Sequence, residues 1–242
     1  MTKTKHVIGE FESKKFDYRR ESFYKYLTFL EEKNIVVTDL LEHFPAYVGH
    51  MALNRVFTLY EYYKMATGVA GHIAELGVYK GSGSLLFAKL VQIHESESLT
   101  QVHGFDWFQG TGESSNKDSD LVPEGGYQCS YDDLMKLIEL QKLDHIVRIH
   151  DFDVTVELKK FFEKNLHLHF KLIFMDCGMY EVMKVALPEF WDRLVPGGIM
   201  IFDQFNHEFA PGETLAIKEF LPGVKIKTLP NSWMPNAYAI KE

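Results

Sequence analysis

The hydrophobic pattern of the chain changes its period near residue 71. Before that point, apolar and aromatic positions recur at helical spacing. Phe23, Tyr24, Tyr26, Leu27, Phe29 and Leu30 predict an amphipathic helix over 21–33. A second helix is predicted over 37–43, stopped by Pro45. A third is predicted over 51–65, where Leu53, Phe57, Tyr60 and Tyr63 gather on one side. Residues 1–20 are charged and aperiodic, which predicts a loosely held arm. Residues 1–70 thus read as an N-terminal arm and helical cap. No Pro/Gly/Ser linker separates them from 71–242, so the two parts are expected to form one structural unit.

From Gly71 onward, short apolar runs alternate with helical ones. Strands are predicted over 72–76, 101–106, 146–150, 172–176, 198–203, 224–229 and 237–240. Helices are predicted over 84–93, 131–140, 155–165, 180–194 and 213–221. Such alternation predicts an α/β, Rossmann-like fold with right-handed crossovers. The last two predicted strands are joined by the short 230–235 segment, too short for a crossover helix, so they should pair as a hairpin. The expectation is a seven-stranded, mostly parallel sheet ending in a C-terminal antiparallel hairpin. That ending is unlike an ordinary dinucleotide-binding domain.

Residues 107–130 break the alternation. The runs 107–120 and 123–126 are polar and turn-rich. A long loop within a compact domain is usually functional or disordered. This one leaves the C-terminal end of the second strand, the ligand side of such sheets, and reads as a substrate-facing lid; a surface excursion is the other reading.

Composition narrows the picture. A chain of 242 residues with 46% hydrophobic and 14% aromatic content can fill a sizeable core. Its net charge of −8 argues against a nucleic-acid-binding surface as its main business. The cysteines, Cys129 and Cys177, are too few for a disulfide framework and lack metal-ligand spacing. The N-terminus carries no apolar signal core, and no run is long enough to span a bilayer. A soluble cytoplasmic protein is expected.

The chemistry concentrates at strand ends. Glu75, Gly77, Gly81 and Gly83 form a strand–glycine loop–helix junction. A pyrophosphate fingerprint needs glycines at the first, third and sixth positions of the turn, but counting from Gly77 the later two are Tyr79 and Ser82. Glu75, just before the loop, suits a cation such as an α-amino group or a sulfonium better than a pyrophosphate. The competing reading is a turn whose glycines serve close packing alone. Asp106, at the tip of the second strand, can accept from two ribose hydroxyls or cap the next turn. Asp151 and Asp153 compete to face an adenine amine, and Asp153 is also placed to cap the helix near Thr155. Asp176 and Asp203 end two apolar strands and could hold a divalent cation, act as general base, or cap helices. His207 lies on the ligand side as a further candidate base.

These stretches resemble class I S-adenosylmethionine-dependent methyltransferases, and more narrowly the macrocin O-methyltransferase family, which modifies sugars on natural products. The resemblance runs from about 53 to about 221. Its carriers are Ile73–Gly81, Gly104–Gly110, Met175–Glu181 and Arg193–Asp203. It implies that Glu75, Gly77, Tyr79, Gly81, Ser82, Gly83 and Ser84 hold the methionine end of S-adenosylmethionine. It places the ribose at Asp106 and Trp107 and the adenine at Asp151 and Phe152, with Asp176 at the cofactor. It assigns Asp176 and Asp203 to catalysis, with His207 kept as a further catalytic candidate from its position, and Mg²⁺ to Asp176, Asp203 and Gln204. The family has a second Asp where this chain has Gly178, and a paired Asp where it has Gln204. The implied partner is a small-molecule hydroxyl acceptor, a sugar or nucleotide-linked sugar, with no nucleic acid and no membrane. The aromatic face of 51–65 would bury against the sheet or in a homodimer. The alternative is a non-catalytic or metal-independent binding protein on the same fold; the glycine spacing disfavours an NAD-linked oxidoreductase.

Overall fold

A computed structural model describes residues 13–119 and 124–242. Most of the expected loose arm and positions 120–123 of the expected lid lie outside the described residues. The chain divides into two compact units, one ending at Phe57 and the other running Thr58–Glu242.

The first unit holds a 3-10 turn, Lys14–Arg19, followed by α1 (Arg20–Glu32), α2 (Val37–Glu42), α3 (Phe44–Tyr47) and the start of α4 (His50–Met65). Pro45 does not end helical structure here. It sits in the first turn of α3, where a missing N–H costs nothing. The Tyr26 hydroxyl donates to the Tyr47 carbonyl at 2.8 Å and ties α1 to α3.

The second unit is built on six strands. They are β1 (His72–Leu76), β2 (Val102–Asp106), β3 (Val147–Asp151), β4 (Phe170–Met175), β5 (Leu194–Phe202) and β6 (Ala237–Ile240), in the order β3-β2-β1-β4-β5-β6. All pairs are parallel except β5 with β6. The helices between them are α5 (Ser82–His94), α6 (Tyr131–Leu140), α7 (Val154–Lys164), α8 (Tyr180–Arg193) and α9 (Pro211–Phe220). The parallel Rossmann-like fold and its antiparallel C-terminal end are as expected, but the strand count is six rather than seven. The segment 224–229 makes only one antiparallel bridge, Lys227 to Tyr238. The ladder stops because Asn236 turns its N–H to the Phe202 carbonyl at 3.1 Å and accepts the Thr228 hydroxyl at 2.8 Å. The pairing that would lengthen the seventh strand is therefore spent elsewhere.

Two cores flank the sheet, as period-two alternation requires. Ile73, Val102, Leu172, Phe174, Ile199 and Ile201 face one core, with Leu59, Phe87 and Ile138 from the helices. Ala74, Leu76, Phe105, Ile173, Met175 and Phe202 face the other, with Leu158, Leu187 and Ile217. The order of strands reverses direction between β1 and β4. That is the switch point where open α/β sheets leave a crevice at the carboxyl ends of their strands.

A pH effect follows from the imidazoles on this sheet. His103 and His150 stand with Nδ1 and Nε2 3.1 Å apart. Burial pushes their pKa values down, to about 3 and about 4. Both are neutral when folded, and both take up protons near their ordinary value of about 6.5 when unfolded. Stability is therefore fully present above about pH 6.5 and falls as pH drops toward 4. The slope is at most about 1.4 kcal/mol per pH unit for each histidine. Urea unfolding at pH 7 and pH 5 should show the lower midpoint at pH 5; equal midpoints would count against buried neutral imidazoles.

Candidate functional site

Two left-handed glycines shape the loop between β1 and α5. Gly77 has φ +87, and a Cβ there would stand 2.1 Å from the Asp176 carbonyl oxygen. Gly81 has φ +82 and is the N-cap of α5. The loop is thereby drawn tight against the end of β4. Tyr79 also has positive φ, at 49°, so three of the five residues 77–81 lie in the left-handed region.

Glu75 is buried, at 1% exposure. Its carboxylate accepts the Ser84 hydroxyl and lies where a side chain on Gly83 would begin, 1.9 Å from a Cβ built there. This explains Gly83 better than ligand approach does. The carboxyl group sits beneath the first turn of α5. Ser84, predicted to touch the cofactor, is fully buried and committed to Glu75, whereas Ser82 is exposed at the helix start.

Asp106 fastens the same loop from the side. Its Oδ2 accepts from the Val78 N–H at 2.8 Å and the Tyr79 N–H at 2.9 Å, and its Oδ1 from the Phe108 N–H at 2.8 Å. A carboxylate offers about four acceptor positions, so at least one remains for a hydroxyl. Asp151 lies beside it in register and is exposed. Asp153 accepts from the Thr155 N–H at 2.8 Å and the Thr155 hydroxyl at 2.7 Å, capping α7. Asp153 is thus engaged as the cap of α7, and Asp151 stands exposed at the strand end. Phe152 follows, half-buried, its N–H donating to the Asp106 carbonyl at 3.0 Å.

Asp176 and Asp203 extend β4 and β5 side by side, next to the aligned pair Met175 and Phe202. Asp176 is half-buried, while Asp203 is only 4% exposed. The sequence reading missed a third carboxyl, Glu213, in the first turn of α9. It is fully buried, and its Oε1 accepts the Gln204 N–H at 2.9 Å. Burial, with Asp203 next in effect, holds its pKa well above the usual carboxylate range. The sequence signal for Glu213 was weak: an acid in a helix's first turn reads simply as dipole pairing.

Magnesium fits these residues poorly. Among the described residues no group of three or more His, Cys, Asp and Glu side chains could hold a metal ion. Position 178 cannot be restored as a ligand without rearrangement. A Cβ on Gly178 would stand 2.5 Å from Gln204 Oε1 and 2.6 Å from Ala210 Cβ. Gln204 and Ala210 fill the space where the second carboxylate of the resembled family would begin.

His207 is half-buried, and burial lowers its pKa, so its ring is neutral near pH 7. Its Nδ1 accepts the Phe209 N–H at 3.2 Å. The proton therefore sits on Nε2, which His207 presents as a donor.

The described part of the expected lid is anchored at two places. Near α5, Cys129 Sγ donates to the Tyr79 carbonyl at 2.7 Å. At the other end, Asp118 Oδ1 accepts the Tyr180 N–H at 2.8 Å, and Lys117 Nζ lies 3.0 Å from Glu219 and 3.8 Å from the centre of the Tyr180 ring. Gly212 has no side chain because Asp118 Oδ1 would lie 2.2 Å from its Cβ. Trp107, half-buried, turns its indole N–H back to the Gly110 carbonyl within the loop.

A family model described as a methyltransferase domain matches residues 74–205, which contain the glycine loop and all four strand-end acids. No curated protein matches the chain. Among solved structures, CalS11, described as a calicheamicin methyltransferase, is similar at 20% identity and TM-score 0.82, covering 92% of each chain. Its apo structure, described as a TDP-rhamnose 3'-O-methyltransferase, is 22% identical with TM-score 0.74, covering 92% of this chain and 94% of that one. The O-methyltransferase NovP is 17% identical with TM-score 0.62, covering 78% and 79%. At these identities the likeness concerns the fold. Among the described residues no helix is long and apolar enough to cross a membrane.

Proposed function

This chain belongs to the methyltransferase-domain family, and from that premise we propose that it is an S-adenosylmethionine-dependent O-methyltransferase acting on a sugar-like or other polyhydroxylated small molecule. The observation that carries the reading is the glycine loop pinned by Asp106 at the switch point of the sheet, with Asp176 at the neighbouring strand end. Solved structures of similar fold are described as sugar-modifying or O-methyl-transferring enzymes, which supports the acceptor class.

S-adenosylmethionine supplies an electrophilic methyl group on its sulfonium. Asp106 holds the loop in shape and offers its remaining acceptor position to a ribose hydroxyl. Asp151, exposed beside it, is the adenine-side acceptor. Asp176 would take the proton of the acceptor hydroxyl as its oxygen gains the methyl group. Of the strand-end acids Asp176 has this role because Asp203 is nearly inaccessible. Alignment of the hydroxyl with the sulfonium carries much of the rate.

The test is turnover with labelled S-adenosylmethionine across nucleotide sugars and polyols, with and without EDTA. Methylation at oxygen supports the proposal; binding of S-adenosylmethionine with no turnover on any hydroxyl acceptor would favour a binding protein on this fold, the reading that Gly178 and Gln204 keep open. Asp106→Ala leaves three loop N–H groups without their acceptor. It should weaken S-adenosylhomocysteine binding by roughly tenfold to a hundredfold, in line with about 1.5–3 kcal/mol for bonds to a charged group. Calorimetry on the variant would show this, and an unchanged Kd would contradict the role given to Asp106.

A further inference from the structure

Buried polar groups in folded proteins nearly always find a hydrogen-bond partner, and each exception calls for an explanation. Among the described residues five buried side-chain atoms have none: Tyr62 Oη, His103 Nε2, His207 Nε2, Glu213 Oε2 and Asn236 Oδ1. His103 lies in the imidazole cluster on the sheet. The other four come together around Asp203, at the end of β5.

The connections between them are direct. Glu213 holds the Gln204 N–H through its other oxygen. Asn236 donates through Nδ2 to the Phe205 carbonyl at 2.7 Å, two residues before His207. The His207 ring meets the Trp233 ring edge-on, with centroids 5.9 Å apart. Tyr62 packs on Tyr238 at 5.4 Å, and Tyr238 is the β6 partner of Ile201. The Ser232 hydroxyl lies beside Tyr62 and gives its own proton to the Pro235 carbonyl. The loops after β5 and before β6, with α4 and α9, thus bring unpaired polar atoms together near Asp203.

The mixture defines what would satisfy them. Tyr62 and His207 offer O–H and N–H donors, and Asn236 offers an acceptor. Glu213, whose pKa burial holds well above the usual carboxylate range, adds a further donor; an anion would still meet Asp203, and a cation would leave the donors unpaired. A neutral hydroxyl both donates and accepts, so a polyhydroxylated ligand meets each side. Trp233, half-buried, adds an apolar ring face of the kind that packs against the C–H side of a sugar. We propose that Tyr62, His207, Asn236 and Trp233 form the seat of the acceptor's hydroxyl-bearing ring. This rests on the methyltransferase reading, because β4 and β5 are adjacent and the seat then adjoins Asp176.

An ordered water is the other occupant such atoms accept. Tyr62→Phe separates the two. If the hydroxyl waits for a ligand, its removal relieves an unpaired buried group and leaves the unliganded protein as stable as before or more so. If it bonds a structural water, its removal lowers stability. The experiment measures binding of methyl α-L-rhamnopyranoside by saturation-transfer NMR, with S-adenosylhomocysteine present, alongside urea unfolding. The wild-type protein should bind the glycoside, and Tyr62→Phe should weaken binding about fivefold or more with a urea midpoint equal to or above that of wild type. Three results would overturn the proposal: no glycoside binding by wild type that has bound S-adenosylhomocysteine, equal binding by both proteins, or a lowered midpoint in the variant. Failure of S-adenosylhomocysteine itself to bind, seen separately by calorimetry, would remove the proposed function and this seat with it.

Discussion

Asp176→Asn should lower kcat by roughly a hundredfold to ten-thousandfold, the range lost when a positioned general base is removed. The amide keeps the shape of the carboxylate but takes no proton from a hydroxyl whose own pKa lies far above neutrality. The backbone around it should not move. The Asp176 N–H donates to the Leu76 carbonyl at 2.8 Å, and its carbonyl oxygen packs against Gly77. Both contacts survive the substitution, so S-adenosylhomocysteine should bind within a few-fold of wild type. Single-turnover methyl transfer set beside calorimetry distinguishes the cases. A large loss in the chemical step with binding retained fits a base; an unchanged kcat would remove Asp176 from that role.

The largest expected loss of stability lies at the opposite end of the sheet. Lys171, the second residue of β4, is 2% exposed, and its ammonium group meets Glu95 Oε2 at 2.6 Å. Glu95 also accepts the Tyr63 hydroxyl at 2.5 Å and the Thr100 hydroxyl at 2.9 Å. Burial pushes the Glu95 pKa up, and bonds from Lys171, Tyr63 and Thr100 more than offset it, so it lies below the usual range. Lys171→Ala strands this carboxylate. Breaking a buried ion pair from one side typically costs about 3–5 kcal/mol, a large fraction of the ~5–15 kcal/mol that holds a domain together. Lys171→Met with Glu95→Gln should cost much less, because no charge is left unpaired. Urea unfolding of the single and double variants tests this. A single variant within about 0.5 kcal/mol of wild type, as surface changes usually are, would show that the pair carries little.

What the sequence made legible is what neighbouring residues determine. The switch from helical to alternating rhythm at Gly71 placed the helices and the parallel strands, because burial on both faces leaves continuous apolar runs. The glycine loop and Asp106 were legible because strand end, tight turn and helix start lie within a few residues of one another. The Asp153 cap was one of two readings, and the Thr155 bonds decide it. The seventh strand failed because alternation over 224–229 reports a half-buried segment and not its partner; pairing depended on Asn236, remote in sequence. The gathering of Glu213, Tyr62 and Asn236 near Asp203 was illegible for the same reason. Each looks ordinary on its own element, and only the folding of α4, α9 and the final loop against β5 gathers them around Asp203. Gly178 and Gln204 read as lost ligands in the sequence. In the structure they are complementary, the amide of one filling the space left by the other.

The most direct measurement of the central claim is calorimetric titration of the purified protein with S-adenosylmethionine and, separately, with NAD. The glycine loop, Asp106 and Asp151 call for saturable one-site binding of S-adenosylmethionine and none of NAD. Saturable NAD binding without S-adenosylmethionine binding would contradict the account.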